Sequence, residues 1–90
     1  MPQAEIVVQH EVGLHARPAT TFVRLASSFP CEVTVSNLTT ASRAVNAKSI
    51  LGVLTLGVSQ GHKIALKTKG EGAEEALAAL VQLIESNFGE

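Results

Sequence analysis

The chain has 90 residues, 46% hydrophobic and 17% charged, which is the composition of a folded globular protein and excludes a disordered one. This length predicts a single domain covering residues 1–90. The single cysteine, Cys31, excludes a disulfide framework and a cysteine-rich metal site, and we expect it to face the core from a strand. The N-terminal residues lack the features of a signal peptide, and no apolar run approaches the ~20 residues of a membrane helix, so a soluble cytoplasmic protein without membrane insertion is predicted.

The net charge of −1 conceals an uneven distribution along the chain. All seven Lys and Arg residues lie within residues 12–70, where Glu32 is the only acid, whereas the two ends carry the other seven acids. Such segregation can produce a basic surface that attracts an acidic partner, although scattered surface charge is the ordinary alternative. Nucleic acid is a disfavoured partner, because Trp and Tyr are absent and the Lys and Arg residues do not cluster in one helix.

Hydrophobic periodicity predicts seven elements. In chain order they are a strand at 5–9, a helix at 16–29 ended by Pro30, strands at 31–36 and 43–47, a short helix after Ser49, a strand at 63–69 and a helix at 73–88. Apolar and polar residues alternate in the strands at 31–36 and 63–69. This pattern predicts a sheet with one face covered and one face exposed to solvent, which is typical of antiparallel pairing. The order βαββαβα therefore predicts a two-layer α+β fold.

The segment HEVGLHARPAT, residues 10–20, raises the possibility of a zinc site, because H-E-x-x-H binds zinc when both histidines share a helical face. Here His10 and His15 are five residues apart with Gly13 between them, so we predict no metal. His10 ends a strand and His15 opens a helix. We expect His10 and His62 to lie at exposed ends of elements, without a role.

His15 occupies the N-cap position of the first predicted helix. The amides of Ala16 and Arg17 in the first turn have no intrahelical partner and suit an anion, and Pro18 is tolerated there for the same reason. A protonated imidazole is disfavoured at this positive helix end, so we expect a neutral, nucleophilic His15. A phosphoryl group on the ring would also meet the guanidinium of Arg17. The alternative is a polar N-cap followed by a solvated arginine.

Ser49 precedes the apolar residues of the short second helix, where serine is a good N-cap. We expect Ile50, Leu51 and Leu54 to leave an exposed apolar patch beside His15, and such a patch usually marks a partner site. Phosphorylation of Ser49 would add a charge of about −1.5 to −2 at its edge and oppose docking.

Two blocks of the sequence carry a family resemblance. GLHARPA (residues 13–19) and KSILGVLTLG (residues 48–57) resemble the active-site signature and the regulatory serine region of the HPr family, the phosphocarriers of the bacterial phosphoenolpyruvate:sugar phosphotransferase system. The resemblance covers essentially the whole chain. It implies an open-faced β-sandwich with four antiparallel strands and three helices on one face. It also implies a monomeric carrier without a cofactor, and not a turnover enzyme.

The resemblance further implies roles for individual residues. His15 would accept a phosphoryl group on Nδ1 from phosphorylated enzyme I and pass it to the IIA domain of a sugar permease, while Arg17 stabilises that group. Ser49 matches the serine phosphorylated by HPr kinase/phosphorylase, and the phosphoserine form would act with a catabolite-control transcription factor in carbon catabolite repression. Partner docking is expected at Thr20, Arg24, Lys48, Ile50, Leu51 and Leu54, with Arg43 adding positive charge.

Three positions depart from the family pattern. Val12 stands where a small polar residue often lies near the phosphoryl group, so that hydrogen bond is lost. The segment 37–43 is longer than usual and lacks the usual glycine, which predicts an extended hairpin. Leu51 replaces a common Met or Phe with a residue of the same apolar character.

Two other functions compete with a sugar-branch carrier. A nitrogen-branch or purely regulatory paralogue would share the fold, although the presence of His15 and Arg17 favours a carrier. A small hydrolase with His15 as base is disfavoured, because the chain has no Asp and no evident Ser or Cys nucleophile paired with His15.

Overall fold

The structure is a computed structural model that describes residues 2–89, except for the side chain of residue 16. The elements follow the predicted order βαββαβα, with a short 3₁₀ turn after the last helix. They are β1 (Gln3–Val7), α1 (Ala16–Ser27), β2 (Glu32–Asn37), β3 (Val45–Asn46), α2 (Ile50–Thr55), β4 (Lys63–Lys69), α3 (Ala73–Glu85) and the 3₁₀ turn (Asn87–Gly89).

The four strands form one antiparallel sheet in the order β1-β4-β2-β3. β4 lies between two neighbours and aligns Ile64 with Ile6 of β1 and Leu66 with Val35 of β2. β3 is a two-residue strand whose Val45 also pairs with Val35. The predicted antiparallel sheet is therefore confirmed, and the predicted strand at 63–69 matches β4 at both ends.

The core lies between one face of the sheet and the helices. Along β4 the even-numbered side chains are buried and Lys63, Lys67 and Lys69 are exposed, because successive strand residues point to opposite faces. The opposite sheet face is thus polar and uncovered, which confirms the two-layer α+β fold as an open-faced sandwich. The fully buried side chains of the core include Phe22, Leu14, Ile64, Leu66, Leu80, Val8, Val35, Val53 and Val58.

α1 forms because apolar residues recur at three- and four-residue spacing. Ala19, Phe22 and Ala26 are fully buried, while Val23 and Phe29 pack partly against the same core. The first predicted member of this stripe, the side chain of residue 16, lies outside the described residues. The helix ends at Ser27, shortly before the predicted end at 29, and Ser28 closes it with backbone bonds to the last turn.

Several predicted element ends were wrong by one to three residues. β2 spans Glu32–Asn37 instead of 31–36, and β3 spans Val45–Asn46 instead of 43–47. β1 spans Gln3–Val7 instead of 5–9, because Val8 leaves the ladder and exchanges backbone hydrogen bonds with His62 and Gly61. α3 ends at Glu85 instead of residue 88, and Phe88 has a left-handed backbone with φ of 58°. This conformation still buries the Phe88 ring, so the apolar pattern predicted the burial and not the backbone.

The connection between β2 and β3 is the extended hairpin that the sequence predicts. The Ser42 amide donates to the Asn37 carbonyl at 2.9 Å and closes a turn of residues 38–41. Ala41 takes a positive φ of 56° in this turn, a conformation that glycine adopts with less strain. Cys31 is buried as predicted, although it lies immediately before β2. Within residues 2–89, no helix is long and apolar enough to span a bilayer.

Candidate functional site

His15 is the N-cap of α1. Its backbone is extended (φ −124°, ψ 159°), and its side chain makes no capping hydrogen bond. The residue is half-buried, so the imidazole is neither in the core nor fully in solvent. The first-turn amides of α1 have no partner within the helix, which makes the end of the helix favourable for a negative group on the His15 ring.

The loop before His15 is anchored to the segment that follows α2. The Leu14 amide donates to the Val58 carbonyl at 3.0 Å, and the Leu14 side chain is fully buried. Gly13 has φ of +66°, and a Cβ there would lie 2.1 Å from the Val58 oxygen. Only glycine therefore fits this close approach, which brings His15 towards the region of α2.

The exposed side of α1 carries Arg17, Thr20 and Arg24. Spacings of three, four and seven residues place these side chains on one helical face. Pro18, in the same first turn, is buried. The basic face of α1, defined by Arg17, Thr20 and Arg24, therefore begins two residues after His15.

α2 begins at an N-cap serine. The Ser49 hydroxyl oxygen accepts a hydrogen bond from the Gly52 amide at 3.1 Å. Ser49 is half-buried, and its side chain therefore has a structural role whether or not it is also modified. Sequence reasoning placed this cap correctly.

One side of α2 is an exposed apolar patch, formed by Ile50, Leu51 and Leu54. Leu51 is 74% exposed and the other two are each 38% exposed, while Val53 on the opposite side is fully buried. Val12, in the loop before His15, is a further exposed apolar residue at 47%. α1 packs against α2, so the basic face and the apolar patch belong to neighbouring helices.

Lys48 and Arg43 have different surroundings. The Lys48 ammonium donates to the Phe29 carbonyl at 2.6 Å, just beyond the end of α1, and the residue is half-buried. Lys48 therefore tethers the segment before α2 to α1, in addition to contributing charge. Arg43 is exposed in the connection before β3.

Sequence reasoning missed a buried polar residue at the end of β2 that contacts the end of α2. Asn37 is fully buried, and its amide group donates to the Leu56 carbonyl and contacts Nδ1 of His62, both at 3.1 Å. Its side-chain oxygen accepts from the amides of Thr39 and Thr40. Asn37 therefore fixes the end of α2 relative to the sheet, and an asparagine in an inward-facing strand position was the only available signal.

The expectation for the other two histidines was wrong. His10 is 7% exposed and packs edge-on against Phe88, with ring centroids 5.7 Å apart. His62 is half-buried, and its Nδ1 also accepts from the Ser59 amide at 3.1 Å. Both rings were expected at exposed ends, but His10 is buried and His62 is half-buried. Within residues 2–89, no group of three or more His, Cys, Asp or Glu side chains is arranged to hold a metal ion.

The structure therefore presents His15 at the start of the first helix of an open-faced α+β sandwich, with Arg17 in the first turn of that helix. The family model described as PTS HPr component phosphorylation site matches residues 2–86. The chain therefore belongs to the HPr family of the phosphotransferase system, whose members are phosphocarrier proteins and not turnover enzymes.

Individual relatives agree with this assignment. Phosphocarrier protein HPr of Pseudomonas aeruginosa is 42% identical over 90 residues, covering 100% of this chain and 98% of the relative. Multiphosphoryl transfer protein of Salmonella typhimurium is also 42% identical, but the matched region covers 97% of this chain and only 23% of that longer protein. The crystal structure of HPr from Thermoanaerobacter tengcongensis has a TM-score of 0.94 and 48% identity, covering 100% of this chain and 98% of that one. A second structure from that organism, described as an HPr dimer, has a TM-score of 0.77, 48% identity and full coverage of both chains.

Proposed function

We propose that this chain carries a phosphoryl group on Nδ1 of His15, which it accepts from phosphorylated enzyme I and transfers to IIA domains of sugar permeases. The observation that carries the proposal is the His15 side chain at the N-cap of α1, half-buried and making no capping bond. A histidine retained only as a cap would hydrogen bond to the first-turn amides, and this one does not.

The transfer step is a substitution at phosphorus. The lone pair on Nδ1 of neutral His15 attacks the phosphorus atom, a P–N bond forms, and the bond from phosphorus to the donor breaks with its electron pair leaving on the donor. Arg17 follows His15 by two residues. Its guanidinium suits a phosphoryl group because its coplanar N–H donors can form paired hydrogen bonds with the phosphoryl oxygens. The same geometry runs in reverse when the IIA acceptor attacks.

Partner docking is proposed at the basic face of α1 and the apolar patch of α2. The two surfaces lie on helices in contact, so a partner with acidic groups around an apolar centre can cover both. A carrier that serves several partners in turn needs short-lived complexes, for which a small docking surface with electrostatic steering is suitable. We propose that Lys48 and Arg43 add to the positive field at its edge.

Ser49 is proposed as a regulatory site for HPr kinase/phosphorylase, with the phosphoserine form serving as corepressor with a catabolite-control transcription factor. Ser49 directly precedes Ile50 and Leu51 of the apolar patch, so a phosphate there would place charge beside apolar docking residues. Ser49 is the N-cap of α2, so a phosphate on its oxygen would lie at the positive start of this helix.

The decisive test is incubation with enzyme I and radiolabelled phosphoenolpyruvate. We expect an acid-labile, base-stable label on the wild type that is absent in His15→Ala. Arg17→Ala should slow labelling at least about tenfold with little loss of stability, and Arg17→Lys, which keeps the charge but not the planar fork, should recover only part of the rate. A wild type that folds but takes no label would refute the carrier function and favour a purely regulatory paralogue.

The chain is further proposed to act in the cytoplasm as a monomer and a single domain. One similar structure is of a dimer, so the oligomeric state needs direct measurement. Sedimentation at the concentrations of the transfer assay should give the mass of one 9.4 kDa chain, and a dimer there would refute the monomer proposal.

A further inference from the structure

His10 is a buried titratable side chain that the proposed transfer step does not use. It is only 7% exposed and lies five residues before His15. Buried polar side chains need hydrogen-bond partners, so the partners of His10 indicate what it does.

Two hydrogen bonds join His10 to the loop that delivers His15. Nδ1 of His10 accepts from the Val12 amide at 3.2 Å, and the His10 carbonyl accepts from the Gly13 amide at 2.9 Å. The second bond closes a four-residue turn from His10 to Gly13, and the first is the side-chain-to-backbone bond that Asn or Asp usually makes at the first position of such a turn. A backbone amide only donates, so Nδ1 of His10 is the acceptor in this bond.

The ring of His10 is itself fixed by the C-terminal segment. Its edge packs against the ring of Phe88 at 5.7 Å between centroids and 77° between planes. Phe88 is 4% exposed, so the His10 ring, which carries the acceptor Nδ1, packs against a core residue and not against an exposed side chain. The turn of residues 10–13 is followed by Leu14, whose backbone amide donates to the Val58 carbonyl. The next residue is His15, which has an extended backbone.

We propose that His10 is a positioning residue for phosphoryl transfer, acting through the turn of residues 10–13 that sets the orientation of His15. The inference rests on the proposed function, since it concerns the rate at which His15 takes a phosphoryl group. Transfer depends steeply on the alignment of the nucleophile, and a displacement of about 1 Å can lower a rate about a hundredfold. A partial loosening of the turn should therefore have a measurable kinetic effect.

Two substitutions separate the hydrogen bond from the ring packing. His10→Phe keeps an aromatic ring against Phe88 but has no acceptor for the Val12 amide. His10→Asn loses the ring but places a side-chain oxygen within reach of the amide two residues on. We expect His10→Phe to lower the maximal rate of His15 phosphorylation by roughly tenfold and His10→Asn to stay within about twofold of wild type. The concentration of carrier for half-maximal rate should change by less than about twofold in His10→Phe, because the basic face of α1 and the apolar patch are untouched.

Stability should show the opposite order. His10→Asn removes buried ring contacts and should unfold at lower urea concentration than His10→Phe. If the transfer rate simply followed stability, His10→Asn would therefore be slower than His10→Phe, which is the reverse of the order we expect. Hydrogen exchange at the Val12 amide gives an independent readout, with faster exchange expected in His10→Phe than in His10→Asn.

The outcomes distinguish this inference from the function on which it rests. A labelled wild type together with a wild-type rate in His10→Phe would overturn the positioning role alone, as would rates that fall in proportion to stability. A wild type that takes no label from phosphorylated enzyme I would refute the carrier function and this inference with it.

Discussion

Ser49 offers a test that separates two roles of one hydroxyl group. Its oxygen accepts from the Gly52 amide at 3.1 Å and caps α2, which has six residues. Ser49→Ala removes this bond and should lower the free energy of unfolding by about 1 kcal/mol, since N-cap losses fall around that value. For a chain of this length that corresponds to a fall of about 4–8 °C in Tm. Because the charge beside the apolar patch is unchanged, phosphoryl transfer should remain close to wild type at temperatures where the variant is folded.

Ser49→Asp tests the other role. Aspartate caps a helix about as well as serine, so stability should stay within about 0.5 kcal/mol of wild type. The added negative charge would oppose an acidic partner by about 1 kcal/mol for a pair ~4 Å apart in water, which lowers the second-order rate of transfer from enzyme I roughly fivefold. Ser49→Asn is the matched control, because it also caps the helix but adds no charge, and its rate and stability should both match wild type.

The assays are urea or thermal unfolding followed by circular dichroism, and initial rates of labelling by phosphorylated enzyme I at several salt concentrations. The fivefold effect of Ser49→Asp should shrink as salt rises, because screening weakens exposed charge pairs. Equal rates in Ser49→Asp and Ser49→Asn would contradict the electrostatic switch. A larger rate loss in Ser49→Ala than in Ser49→Asp would show that the cap, and not the charge, controls docking.

Four further substitutions test the fold and the docking surface. Leu51→Ser, at a side chain that is 74% exposed, should slow transfer while unfolding stays within about 0.5 kcal/mol of wild type, and slowed transfer with equal destabilisation would contradict a docking role. Asn37→Ala leaves buried hydrogen-bond partners unpaired and should lower the free energy of unfolding by about 2–3 kcal/mol in urea titrations, whereas a neutral effect would mean that water replaces the amide. Gly13→Ala places a Cβ 2.1 Å from a carbonyl oxygen at positive φ, so a large fall in Tm is expected and an unchanged Tm would refute this backbone geometry. Ala41→Gly should raise the free energy of unfolding by up to about 1 kcal/mol, because glycine relieves the positive φ of 56°, and a loss of stability would contradict that conformation.

The sequence predicted those parts of the fold that depend on local periodicity. Alternation located β4 to the residue, and the spacing of apolar residues in α1 identified Phe22 and Ala26 as core side chains. The N-cap positions of His15 and Ser49 followed from the residue types and the start of each apolar pattern. Each of these features is decided by residues within a few positions of one another.

The features that were missed depend on contacts between distant parts of the chain. His10 is buried by Phe88, near the other terminus, and no local pattern encodes that contact. Asn37 bonds to Leu56, nineteen residues away, and Lys48 to Phe29 at the same separation. Sequence reasoning treated these polar side chains as exposed or unassigned, because their burial becomes favourable only when the partner is already in place.

We propose that His15 is the residue that carries the phosphoryl group, on Nδ1. Nδ1 of His10 and Nδ1 of His62 each accept hydrogen bonds from the protein, so His15 is the candidate for modification at this position. The most direct measurement is nitrogen-15 and phosphorus-31 NMR of the phosphorylated chain labelled at histidine. We predict a single phosphorus signal coupled to Nδ1 of His15, with the rings of His10 and His62 unmodified. A phosphoryl group on Nε2 of His15, or on either of the other histidines, would contradict the assignment of Nδ1 of His15 as the phosphorylated atom.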